Sequence, residues 1–218
     1  MVETSKEFTL REMEGREMIR GEQLFCERAE RVLFRELTFS VCEGQVLQIR
    51  GSNGSGKTTL LRIICGLHDD YLGTIKWYGK PIDEQRDEFF SSLTYLGHRV
   101  GVNKVLTPME NLRWVSSLHH QINDKEIYDA LAHMGLKGFE QSQCFTLSAG
   151  QQQRVSLSRL MLNRSKLWIL DEPFATLDTD GIRLLENLLR EHADQGGIAL
   201  VTTHHHLSVS ALSVLELG

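Results

Sequence analysis

The sequence predicts an α/β chain: a parallel sheet flanked by helices, an antiparallel β region ahead of it and a helical insertion within it. Three observations lead there. The apolar run VLQIRG passes through a Gly-rich loop into KTTLLRIICGL, whose apolar residues recur at helical spacing until Gly66. The runs LWIL at 167–170 and IALV at 198–201 are too short for helices and hold no polar residue, as parallel strands buried on both faces do. Between about 98 and 165 no strong strand pattern occurs, while PMENLRWVSSLHH, DKEIYDALAHMGL and QQQRVSLSRLML each read as helix.

Ahead of that core, EMIRG, EQLFCE, RVLFREL and LTFSV read as short strands broken by charge or Gly, and TIKWYGKPI at 74–82 adds another with a Gly-Lys-Pro turn. Residues 1–17 read as an N-terminal extension and 18–218 as one domain, since 218 residues with 41% hydrophobic content suffice for one sizeable core. The opening MVETSKEFTLREMEGREMIR mixes acids and bases without an apolar centre, so it does not read as a signal peptide. Nowhere are there the ~18 consecutive apolar residues of a membrane span. A net charge of −5 argues against a sequence-independent nucleic-acid binder, which needs a basic stripe to neutralise phosphates. Cys26, Cys42, Cys65 and Cys144 form no C-x-x-C pair, which points away from a zinc site or disulfide framework and towards a reducing cytoplasm. His119 and His120 fall in a helical stretch and read as surface residues.

GSNGSGKT satisfies G-x-x-x-x-G-K-[ST] and stands between a strand and a helix, where phosphate binding requires it. Gly51, Ser52, Asn53, Gly54, Ser55 and Gly56 are small enough for backbone N–H groups to close around a β-phosphate, aided by the helix dipole. Lys57 is expected to bridge the β- and γ-phosphates of ATP and Thr58, followed by Thr59, to offer its hydroxyl to Mg²⁺. LWILDEP supplies the complement. Its strand delivers Asp171 as a carboxylate for Mg²⁺ and Glu172 as a general base on the attacking water. Read alone, the acidic pair before Pro173 is equally a strand end entering a turn.

LSAGQ at 147–151 admits two readings. Ser148 and Gln151 form a capping box, which a well-capped helix explains by itself. Ala149 and Gly150 also leave the helix end bare, so its free N–H groups can take an anion. The first loop already fills one γ-phosphate site, and an anion held here belongs to another nucleotide.

GSNGSGKTT, LSAGQQQR, LWILDEP, ATLD at 175–178 and TTH at 202–204 occur in the order and spacing of the ATP-binding cassette ATPases, which nearly the whole chain resembles. The resemblance implies a P-loop NTPase fold with a RecA-like parallel-sheet core, an antiparallel β subdomain and an inserted helical signature subdomain. It further implies a head-to-tail homodimer in which Ser148, Ala149, Gly150 and Gln151 of one subunit close on the ATP of the other, with Asp178 at the seam. His204 matches the histidine that contacts the γ-phosphate, with His205 and His206 as neighbouring registers. Arg28 aligns with the adenine-stacking position, usually aromatic, and His98 with a glutamine that reaches Mg²⁺ and the attacking water. A guanidinium plane also stacks on a base, and imidazole also hydrogen-bonds, although it titrates near neutrality.

YLGH, LTPMENLRW, LWILDEPFATLD and GGIALVTTHHHL together resemble the haem-exporter-type cassettes of cytochrome c maturation, although Arg99 stands where that family tends to have glutamine. This implies an ATPase peripheral to the cytoplasmic face of the bacterial inner membrane, driving integral membrane permease subunits. The other readings are a cassette for another cargo such as a lipid or lipoprotein, and a soluble cassette acting on DNA or ribosomes. The latter would show a coiled-coil insertion or a second cassette, and neither is present.

Overall fold

The computed structural model describes residues 16–117, 122–209 and 211–218. Most of the expected N-terminal extension, with His119 and His120, lies outside them. The chain begins with β1 (Glu17–Arg28), β2 (Arg31–Cys42), β3 (Val46–Gly51), α1 (Lys57–Ile64), β4 (Leu72–Trp77) and β5 (Lys80–Pro81). There follow α2 (Arg86–Ser91), β6 (Leu93–Leu96), α3 (Pro108–Ser116), α4 (Asp124–His133), α5 (Ala149–Leu157) and α6 (Arg159–Leu162). It closes with β7 (Leu167–Asp171), α7 (Thr179–Asp194), β8 (Ile198–Thr202) and β9 (Leu212–Leu217).

Two sheets result. One is antiparallel, in the order β2-β1-β4-β5; the other is parallel throughout, in the order β6-β7-β8-β3-β9. The four short N-terminal strands expected from the sequence are in fact two strands of 12 residues each. Gln23 and Glu36, both at φ 51, absorb two of the four register shifts as bulges, and pairing continues past the charges between the expected strands. The expected Gly-Lys-Pro turn begins one residue earlier. Tyr78 and Gly79, at φ 48 and 79, form the tight hairpin, and Lys80 and Pro81 already belong to β5 at the sheet edge.

The stretch read as one helix over QQQRVSLSRLML divides at Ser158, whose amide and hydroxyl both donate to the Arg154 carbonyl, at 3.0 and 2.9 Å. Each of α3, α4 and α5 begins with a capping box, from Thr107 with Glu110, Asn123 with Glu126 and Ser148 with Gln151. No apolar run foretold β6 or β9. The first is four residues long and the second an edge strand of alternating exposure.

Strand alternation divides the interior in two. Leu167, Ile169, Ile198 and Leu200 pack with Leu60 of α1 and with Trp77 of the antiparallel sheet. Trp168, Leu170, Ala199 and Val201 face Leu112, Leu131, Leu185 and Leu189 of the helical layer. The parallel sheet thus carries a separate core on each face. Among the described residues no helix is long and apolar enough to cross a membrane.

Candidate nucleotide site

Because β3, β6, β7 and β8 run in one direction, their C-terminal ends gather along one edge, the usual ligand crevice of a parallel sheet. Gly51, Asp171 and Thr202 end their strands there, and Gly97 and His98 follow β6 directly. At Gly51, φ is 149, and a Cβ would lie 2.3 Å from the Leu217 carbonyl oxygen and 2.5 Å from Ser55 Oγ. Glycine is what lets β9 press against the loop. Gly56, at φ 100, gives α1 a left-handed start, and the Ser55 amide donates to the Ser52 carbonyl at 3.1 Å to close the turn. Lys57 Nζ folds back over the loop and donates to the carbonyls of Gly51 at 2.8 Å and Ser52 at 3.1 Å.

Asp171 is 2% exposed. Its Oδ1 accepts from Thr58 Oγ1 at 3.2 Å and Thr202 Oγ1 at 2.8 Å, while Oδ2 is buried with no hydrogen-bond partner among the described residues. A carboxylate with one bare buried oxygen, beside a hydroxyl, is a donor set that fits a hard cation such as Mg²⁺. Behind the loop, burial and then the charge of Asp171 push the Cys65 thiol up to about 12, which keeps it protonated and unreactive.

Glu172 turns sharply out of β7. Its φ is 53, unusual for a residue with a side chain, and its amide donates to Thr202 Oγ1 at 2.9 Å and to the Thr202 carbonyl at 3.1 Å. His204 Nε2 is 3.8 Å from Glu172 Oε1, with the imidazole 67% exposed. His205 turns elsewhere, to Glu186 at 3.2 Å and onto the Phe174 ring. Of the neighbouring registers, it is His204 that faces the carboxylate.

A cleft of about 540 Å³ opens over these groups. Arg28, Asn53, Gly54, Lys57, Thr58, Thr59, His98, Asp171 and Glu172 all line it. Arg28 is exposed at the end of β1, before the turn at Ala29 and Glu30. Ser148, Ala149, Gly150 and Gln151 do not line it. Ser148 caps α5, its Oγ accepting from the Gln151 amide at 3.2 Å and its amide donating to Gln151 Oε1 at 2.9 Å, with Ser148 and Ala149 open to solvent. Asp178 caps α7 through the Gly181 amide at 2.8 Å and is ion-paired with Arg154. The Gly181 hydrogen bond, then Arg154, hold its carboxyl below the usual range.

Residues 34–175 match the sequence model of the family described as ABC transporter. A relative from Aliivibrio fischeri, the cytochrome c biogenesis ATP-binding export protein CcmA, is 48% identical over 203 residues, spanning 92% of this chain and 100% of its own. The chain belongs to the ABC transporter ATP-binding family. It is accordingly an ATP-binding, ATP-hydrolysing cassette. The Pseudomonas putida protein of the same name is 50% identical over 195 residues, covering 89% of this cassette and 93% of its own length. A solved ABC transporter ATP-binding protein from Pyrococcus furiosus superimposes with a TM-score of 0.78 at 25% identity, covering 90% of this cassette and 96% of its own chain.

Three residues of the cassette that sequence reading passed over stand close to these groups: Thr202, Gln153 and Arg154. Thr202 lies within the quoted TTH, which gave it no role of its own, and had one further signal, a polar residue closing an apolar strand. Gln153 and Arg154 lie within the quoted LSAGQQQR, but their contacts with Pro173 and Asp178 bridge segments 20 and 24 residues apart, which no local pattern records.

Proposed function

We propose that this cassette is the nucleotide-binding subunit that drives haem export or handover in c-type cytochrome maturation. It works as a head-to-tail homodimer on integral membrane permease subunits, peripheral to the cytoplasmic face of the bacterial inner membrane, with no nucleic-acid partner. The relatives named as cytochrome c biogenesis ATP-binding export proteins support the pathway, and haem and the membrane face are what the sequence resemblance implies. One observation carries the mechanism: the capped end of α5 lies outside the cleft that Lys57 lines in the same chain. A second copy, related by a two-fold axis, can bring its own Ser148 to that cleft.

In this reading the backbone of Gly51 to Gly56 encloses the β-phosphate, and Lys57 exchanges the Gly51 and Ser52 carbonyls for phosphate oxygens. Thr58 and Asp171 would hold Mg²⁺, which when bound neutralises charge on the phosphate oxygens. Glu172 takes the proton of the attacking water, and His204 orients the γ-phosphate. His98 reaches the same water from β6, and Arg28 stacks on adenine at the open end. Ser148, Ala149, Gly150 and Gln151 from the partner complete the phosphate shell, with Asp178 at the seam. The protein's contribution is position and charge.

Glu172→Gln tests this. The variant is expected to bind ATP, to lose phosphate release and to accumulate as an ATP-trapped dimer in light scattering. A Glu172→Gln protein that stays monomeric with saturating ATP overturns the composite site. Copurification from detergent extracts identifies the membrane subunits, and partners outside haem handling overturn the assignment of cargo.

A further inference from the structure

Two consecutive side chains of α5 reach into the segment that follows β7. Gln153 Nε2 donates to the Pro173 carbonyl at 3.0 Å, and Arg154 is ion-paired with Asp178. The first turn of α5 lies against the same segment, since a Cβ on Gly150 would stand 2.9 Å from the Thr176 carbonyl oxygen. Glu172 begins this segment at φ 53, a conformation that persists only when its surroundings hold it. Thr202 holds it from one side through the Glu172 amide. On the other side the next residue is a proline, which has no N–H, so its carbonyl is the hydrogen-bonding group left to fasten. Gln153 fastens it.

We propose that Gln153 is a positioning residue for hydrolysis. Through Pro173 it keeps Glu172 at the angle that meets the attacking water, and it ties that angle to the orientation of α5. The exposed end of α5 serves the nucleotide of the opposite subunit, so closure of the partner on Ser148 reaches the Glu172 of the same chain through one helix and one hydrogen bond. This deepens the proposed function and rests on the role it gives to Glu172.

The test uses the full-length protein with Gln153→Met, which keeps the side-chain length and removes the donor, and Gln153→Lys, which restores one. Gln153→Met is expected to lower kcat for phosphate release by about 10- to 100-fold, the effect of a small misplacement of a catalytic group. Binding of a fluorescent ATP analogue and the thermal midpoint stay near those of the parent. Gln153→Lys recovers most of the lost rate. A Gln153→Met protein with kcat within about twofold of the parent overturns the proposal, as does a lysine variant as slow as the methionine one, or a loss of rate matched by loss of the folded state. Should Gln153→Met not fold, Gln153→Glu, isosteric and lacking the donor when ionised, is judged by the same criteria. Turnover retained in Glu172→Gln overturns the parent reading together with this one. Turnover lost there but intact in Gln153→Met overturns this one alone.

Discussion

Thr202 Oγ1 donates to Asp171 Oδ1 at 2.8 Å and accepts the Glu172 amide at 2.9 Å, so one hydroxyl on β8 sets both acids at the tip of β7. Thr202→Val keeps the shape and removes both bonds. Asp171 then loses a donor while buried, whereas the Glu172 amide keeps the Thr202 carbonyl. The expected cost is about 1–3 kcal/mol in denaturant unfolding. A drop of about tenfold or more in kcat should accompany it, with Thr202→Ser close to the parent. Full turnover in the valine variant would show that the hydroxyl serves the fold alone.

Arg28 lines the cleft from an exposed position at the end of β1. If its guanidinium stacks on adenine, Arg28→Ala raises KM for ATP by about 3- to 30-fold at unchanged kcat, and Arg28→Tyr restores affinity. Steady-state kinetics with ATP decide the matter. An unchanged KM makes Arg28 an ordinary surface arginine.

His192 lies flat on Trp168 at 3.7 Å, with Nε2 3.2 Å from the Ile198 carbonyl. Burial holds its pKa down at about 4, against an ordinary 6.5. The folded protein therefore prefers the neutral ring, and the unfolded chain takes up the proton first on acidification. Its contribution is complete above about pH 6.5 and is lost as the pH falls towards 4. The loss is on the order of 3 kcal/mol. Urea midpoints between those pH values should fall steeply in the parent and less so in His192→Phe, which stacks but does not titrate. Equal slopes in the two proteins would remove the imidazole from the account.

Local chemistry was readable wherever one short segment contains its own cause. The phosphate loop, the buried strands LWIL and IALV and the Ser148–Gln151 box that starts α5 are of this kind, because small residues, unbroken apolar runs and paired caps act within a few positions. What escaped depends on a distant partner. The bulges at Gln23 and Glu36 exist because β1 and β2 must stay in register over their full length. β9 is a strand because β3 offers it an edge. Ser158 breaks a helix whose apolar pattern continues across it. Among the site residues, TTH matches His204 in sequence with His205 and His206 as neighbouring registers, and the structure puts His204 3.8 Å from Glu172 while His205 turns to Glu186 and Phe174.

The alternation of β7 and β8 between two cores has a consequence for drift. A swollen side chain in the helical layer presses on Trp168 or Val201, and the strain travels along strands whose tips bear Asp171 and Thr202. The buried face of the helical layer is therefore not free to change; each substitution there is filtered first by the chemistry at the far end of the same two strands.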